Sequence, residues 1–111
     1  MPKVFVVNQA GHDISPVRAV VPDAEIVCLS EGNVNVFNTD RVIRDFGVRL
    51  VGSGSDDYLL LSGSIAINLL AFAILFERHG QVNALLWHAR ENRYVPRTIR
   101  KEDVGYGQGG Y

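Results

Sequence analysis

Two short stretches of the chain hold the residue types from which a chemical site could be built. In Gly11-His12-Asp13 a histidine and a carboxylate share one loop. Histidine titrates near neutrality, so this pair could do acid–base work or bind phosphate. Against that, adjacent residues rarely pair productively, and Asp13 is equally suited to capping a helix. In Ser62-Gly63-Ser64, small residues and two hydroxyls stand directly before a long apolar segment. If that segment is a helix, its first N–H groups lack intrahelical partners and its dipole favours an anion there. The alternative is purely local: Ser62 or Ser64 caps the helix and Gly63 serves a tight turn. Asn68 is the single polar residue in the apolar run 65–76. Once buried it needs hydrogen-bond partners, from a neighbouring loop's backbone or from a ligand. With Asn8, which closes the first apolar run, the candidate ligand-binding set is Asn8, Gly11, His12, Asp13, Ser62, Gly63, Ser64 and Asn68. The ligand class that such a set suits is an anionic, phosphorylated small molecule such as a nucleotide.

Sharper motifs are missing. Ser62-Gly63-Ser64 is neither a P-loop, which needs a Gly-Lys-Ser or Gly-Lys-Thr end, nor a full dinucleotide-binding glycine fingerprint. A Ser-His-Asp set can be assembled from Ser62, His12 or His88, and Asp13 or Asp57, but the Gly-x-Ser-x-Gly elbow is absent. No metal site is expected, because no second histidine or cysteine stands at ligand spacing. Cys28, the one cysteine, has no internal partner and falls in a segment that reads as buried strand, where it acts as a small hydrophobe. Catalytic residues and cofactor are left unassigned.

The elements that must position these residues follow from the hydrophobic pattern. Val4-Phe5-Val6-Val7 and Glu25-Ile26-Val27-Cys28-Leu29 are short apolar runs of the kind found in strands buried on both faces. Between them Asp13 or Ser15 starts a turn of helix with Pro16 near its beginning, stopped by Pro22. Asn38 caps a helix in which Val42, Ile43, Phe46 and Leu50 share a face, with Phe37 expected to staple onto Val42. Gly47 weakens that helix and suggests close packing. Tyr58-Leu59-Leu60-Leu61 forms a third strand, then a second helix runs to His79 with Gly80 ending it. This helix is apolar on nearly every side and should be covered on most of them. Residues 82–89 and 94–99 make a hairpin, and Pro96 puts the last strand at an edge.

Strands alternating with helices argue for a small three-layer α/β domain with a mostly parallel five-stranded sheet, order 2-1-3-4-5, and an antiparallel edge hairpin. In open sheets of this kind ligands bind beyond the carboxyl ends of the strands where the order reverses. The loops after strands one and three, which hold the candidate residues, would meet there. Residues 1–103 form this single domain, and the Gly/Tyr-rich tail 104–111 is expected to form no regular element by itself.

Composition supports a globular chain: 111 residues, 47% hydrophobic and 21% charged. The longest apolar run is too short for a bilayer, and the start shows no signal-peptide pattern; both read as a soluble, cytoplasmic domain with no membrane partner. Net charge is −1, yet residues 1–77 carry five basic and nine acidic side chains, and residues 78–101 six basic and one acidic. Trp87, His88 and Tyr94 beside Arg90, Arg93 and Arg97 could stack on nucleic acid. Alternation places Trp87 and His88 on opposite faces, however, and with a pI near 6.3 nucleic acid is disfavoured. The charge asymmetry, the half-protected edge and the apolar second helix all point to a homo-oligomer.

Val-Phe-Val-Val-Asn-Gln-Ala-Gly-His-Asp at 4–13, Asp-Asp-Tyr-Leu-Leu-Leu-Ser-Gly at 56–63 and His-Gly-Gln-Val-Asn-Ala-Leu-Leu-Trp at 79–87 resemble segments of small proteins encoded in tailed-bacteriophage genomes. The resemblance brings no activity with it and implies a viral protein of the host cytoplasm. More loosely, strand–Ser-Gly-Ser–helix is similar to the phosphate loops of Rossmann-like, flavodoxin-like nucleotide and signal-molecule binders, a likeness at the level of fold. Two roles follow as expectations. One is a phage accessory domain that binds an anionic small molecule at the strand-one/strand-three crevice. The other is a phage structural or interaction protein that self-assembles without a small-molecule ligand.

Overall fold

In the computed structural model, which describes residues 1–9, 11 and 13–109, strands β1 (Lys3–Val6), β2 (Glu25–Cys28), β3 (Tyr58–Leu60), β4 (Gln81–His88) and β5 (Arg93–Arg100) form one sheet in the order β2-β1-β3-β4-β5. The pairs β1–β2, β1–β3 and β3–β4 are parallel, and β4–β5 is antiparallel. This is the expected order, with the reversal at β1 and β3. Because β1 is central, its apolar run is sealed on both faces: Val4, Phe5, Val6 and Val7 are all buried. Alternation divides them between two cores. Phe5 and Val7 join Leu59 and Val82 on one face, and Val4 and Val6 join Leu60, Leu85 and Tyr94 on the other.

The first face is covered by helices α1 (Thr39–Arg49) and α2 (Ile65–His79), which bring Val42 and Phe46, and Ile67, Ala71 and Leu75, into the core. The second face carries a thin layer, a 3-10 turn over Ser15–Ala19 and the strap that follows, which bury Val17, Val21 and Ala24. Pro22 and the missing apolar periodicity leave room for little more than that turn. Arg18 fastens it by donating to the carbonyls of Pro22 and Ala24.

Asn38 is the N-cap of α1 as its type suggests, but its side chain makes no capping bond. Phe37 is 92% exposed, so the expected staple onto Val42 does not form. The entry is set instead by Asn35, whose Oδ1 accepts the Phe37 N–H at 3.1 Å and turns the chain into the helix. Gly47 does mark a close approach: Arg78 Nη2 donates to its carbonyl at 3.0 Å, and a Cβ there would lie 3.4 Å from the same nitrogen. Gly80 ends α2 in the left-handed region at φ 71°, its N–H bonded to the Phe76 carbonyl.

Two expectations are corrected. Helix α2 is not covered on most sides within this chain: Ile65 is 78% exposed and Leu69 62%. The sheet takes one stripe, α1 packs alongside, and among the described residues no element lies over Ile65 and Leu69. The Gly/Tyr-rich segment is also not without structure, since helix α3 (Lys101–Gly109) runs through most of it. Its start is fixed by the Lys101 N–H bonded to the Gly80 carbonyl at 2.8 Å, and Glu102 and Asp103 stand in its first turn, where the dipole favours them. No described helix is long and apolar enough to cross a membrane.

Candidate functional site

The loops after β1 and β3 meet, as the topology requires, and the contact between them is polar and closed. The Asn8 N–H donates to Ser62 Oγ at 3.0 Å, and that hydroxyl donates back to the Asn8 carbonyl at 2.9 Å. Both capacities of Ser62 are therefore used between the loops. Asn68, one turn into α2, reaches back over the same loop. Its Oδ1 accepts the Ser62 N–H at 3.0 Å, and its Nδ2 donates to the carbonyls of Ser62 at 2.8 Å and Ser64 at 2.7 Å. The lone polar residue of the apolar run is thus satisfied by loop backbone, the first of the two alternatives its sequence position allows.

Gly63 is explained by the same contact. It has φ 80°, and a Cβ would stand 2.8 Å from the Asn8 Cβ. Only glycine permits both the backbone conformation and the approach. Ser64 is the N-cap of α2, without a side-chain capping bond. Asn8 is 3% exposed; its Nδ2 donates to Ser30 Oγ and the Gly32 carbonyl, both at 3.0 Å. Ser30 Oγ in turn donates to the Val7 carbonyl at 2.7 Å, tying the β2 loop to the same point. Among the described residues Asn8 Oδ1 is buried without a hydrogen-bond partner.

Of Gly11-His12-Asp13, His12 lies outside the described residues. Gly11 is exposed at φ 79°. Asp13 accepts the Ser15 N–H at 2.9 Å and starts the 3-10 turn. That bond and the Ser15 hydroxyl hold its carboxyl below the ordinary carboxylate range. Asp13 and Ser62 do come together, with Leu61, Trp87 and Tyr94, around a cavity of about 350 Å³ on the 3-10 side of the sheet. On the α2 side, Ser62, Gly63 and Asn68 border a second hollow of about 360 Å³ with Leu61, Ile65, Leu69 and Phe72. Asp13 therefore borders one hollow, Gly63 and Asn68 the other and Ser62 both, while Asn8, Gly11 and Ser64 line neither.

The Ser-His-Asp combinations with His88 or Asp57 do not assemble. His88 Nδ1 accepts the Glu91 N–H in the hairpin turn. Asp57 stands at the opposite end of β3, bonded to the N–H groups of Lys3 and Gly54. A serine–histidine contact that sequence reading missed joins Ser53 Oγ to His79 Nε2 at 2.8 Å. Ser53 donates its proton to the Leu50 carbonyl, so His79 is the donor here, and the pair is a brace between the ends of α1 and α2. Trp87 and Tyr94 were also missed as cavity walls. The signal was available in the hairpin register, which sets them directly opposite each other with ring centroids 4.9 Å apart.

A family model described as phage Pam3 gp32-like protein matches residues 2–101. No curated protein matches the chain, and no solved structure does.

Proposed function

The chain belongs to the phage Pam3 gp32-like protein family, and from that premise we propose that it is a self-associating phage protein whose outer α2 face meets a second copy. The observation that carries this reading is the unpartnered stripe on α2. Ile65 and Leu69 are exposed, and beside them Phe72 and Phe76 stack with ring centroids 5.3 Å apart while only partly buried. Alternation from Val82 puts Leu86, 40% exposed, on the same side of the sheet. A contiguous apolar surface rimmed by charge is the usual mark of an interface.

A second copy fits because a two-fold interface must be complementary to itself. Residues 65–76 carry no charge, so two copies can meet along α2 without burying an unpaired ion. The basic hairpin and the more acidic remainder of the chain supply complementary rims. Light scattering on wild type and Leu69→Glu tests the reading. Wild type should give twice the chain mass and the variant the chain mass, with unchanged far-UV circular dichroism. Equal masses for the two would refute it.

The reading of an anionic ligand keeps one observation, the hollow bordered by Gly63 and the first turn of α2. The hydroxyl of Ser62 and the amide of Asn68 are already spent on the loop, so an anion would have the Ser64 hydroxyl and backbone N–H groups. Calorimetry against a nucleotide panel separates the two readings. Saturable binding would favour the ligand, and no heat with any nucleotide would leave self-association as the function.

A further inference from the structure

The cavity on the 3-10 side of the sheet has no part in the α2 interface, and its walls have a chemistry of their own. Trp87 and Tyr94 face each other across the hairpin, edge to face, with an interplanar angle of 65°. Tyr94 is only 6% exposed, its ring packed into the core on this side of the sheet. Burial and the neighbouring Asp13 carboxylate both push its ionisation upward, which keeps it a neutral phenol. Asp13 stands on the opposite wall, exposed, with one carboxylate oxygen bonded to the Ser15 N–H. Among the described residues no lysine or arginine pairs with it. On the hairpin Arg93 is paired with Glu91 at 2.9 Å, and in the strap Arg18 donates to the carbonyls of Pro22 and Ala24. Leu61 completes an apolar side.

A negative carboxylate, a half-exposed indole and a phenol lining one cavity attract cations and repel anions. The ring quadrupole favours a positive charge over its face, and the exposed carboxylate adds a charge-assisted hydrogen bond. A cavity of about 350 Å³ has room for a planar cationic group of a few heavy atoms. We propose that Asp13, Trp87 and Tyr94 form a binding site for a guanidinium or alkylammonium group. That group is either a free small cation or an arginine side chain presented by a protein. The site is on the face of the sheet opposite α2, so it stands or falls separately from the self-association reading.

Trp87 is the one tryptophan of the chain, and its fluorescence reports the site directly. The probes are arginine amide, tetramethylammonium, and a peptide copying residues 90–97 of this chain, which presents arginines as a neighbouring hairpin would. Saturable quenching or a spectral shift of Trp87 by arginine amide is expected, weakened about ten- to a hundred-fold in Asp13→Asn. Tyr94→Phe, which keeps the ring packing, should weaken it less. Binding of the peptide well above that of arginine amide would identify a protein arginine as the source, and equal binding a free cation. Phosphate and AMP serve as anionic controls and should leave the emission unchanged. No saturable response to any cationic probe, or equal affinity in wild type and a folded Asp13→Asn, would overturn the proposal.

Discussion

At the scale of single residues, the candidate positions turn out to be a clasp. Asn68 makes three hydrogen bonds to the backbone of the Ser62-Gly63-Ser64 loop, and Asn68→Leu would leave those groups unsatisfied. Leaving part-buried polar groups unpaired costs about 1–3 kcal/mol at most, so the unfolding free energy of Asn68→Leu, read from a lower urea midpoint at unchanged slope, should fall by up to that amount. The identity of these residues was legible in the sequence, since a lone amide in an apolar helix must find partners. Its partners are local, four to six residues back; the pairing of Ser62 with Asn8 needs closure across 54 residues, which no local pattern encodes. Asp13 gives a prediction in pH. Its folded-state pKa is depressed by the Ser15 N–H and hydroxyl. Its contribution is therefore present above the unfolded carboxylate pKa and lost as pH falls through the folded one. Wild type should lose stability on acidification below about pH 4 more steeply than Asp13→Asn, as read by urea midpoints across the acid range.

Among the elements, α2 decides most. Its 15 residues are apolar on both the sheet side and the far side, and sequence alone tells that the helix needs cover without telling what supplies it. The structure separates neighbours that the pattern treats alike. Leu69 is open, whereas Leu70 packs against the core that α2 shares with α1. Leu70→Glu should accordingly lower thermal stability by burying a charge, on the order of several kcal/mol, while Leu69→Glu should leave the melting temperature of the separated chain nearly unchanged. Equal melting temperatures for the two variants would contradict this assignment of faces. The strands were legible because β-branched and aromatic runs sit between glycine- and proline-marked loops. The helix over Lys101–Gly109 was not, because glycine-rich composition argues against a helix. What starts it is a bond from Lys101 to the distant Gly80 carbonyl.

For the whole molecule, the sheet order followed from the alternation of strands and helices together with the edge position that Pro96 imposes, and the register then brings the loops after β1 and β3 together. The same topology leaves one helix face open and concentrates positive charge on the hairpin. These two features assign different strengths to the forces between copies. Surface charge pairs contribute about 0–1 kcal/mol each and are screened within about 8 Å at physiological salt. Burial of exposed Leu, Ile and Phe side chains contributes about 1.5–3 kcal/mol each and is insensitive to moderate salt. Association through α2 should therefore persist when salt is raised. Sedimentation equilibrium of the wild-type chain at tens of micromolar, in low and in high salt, measures this most directly. The account predicts a dimer in both buffers with nearly the same dissociation constant, and a folded monomer in both would contradict it.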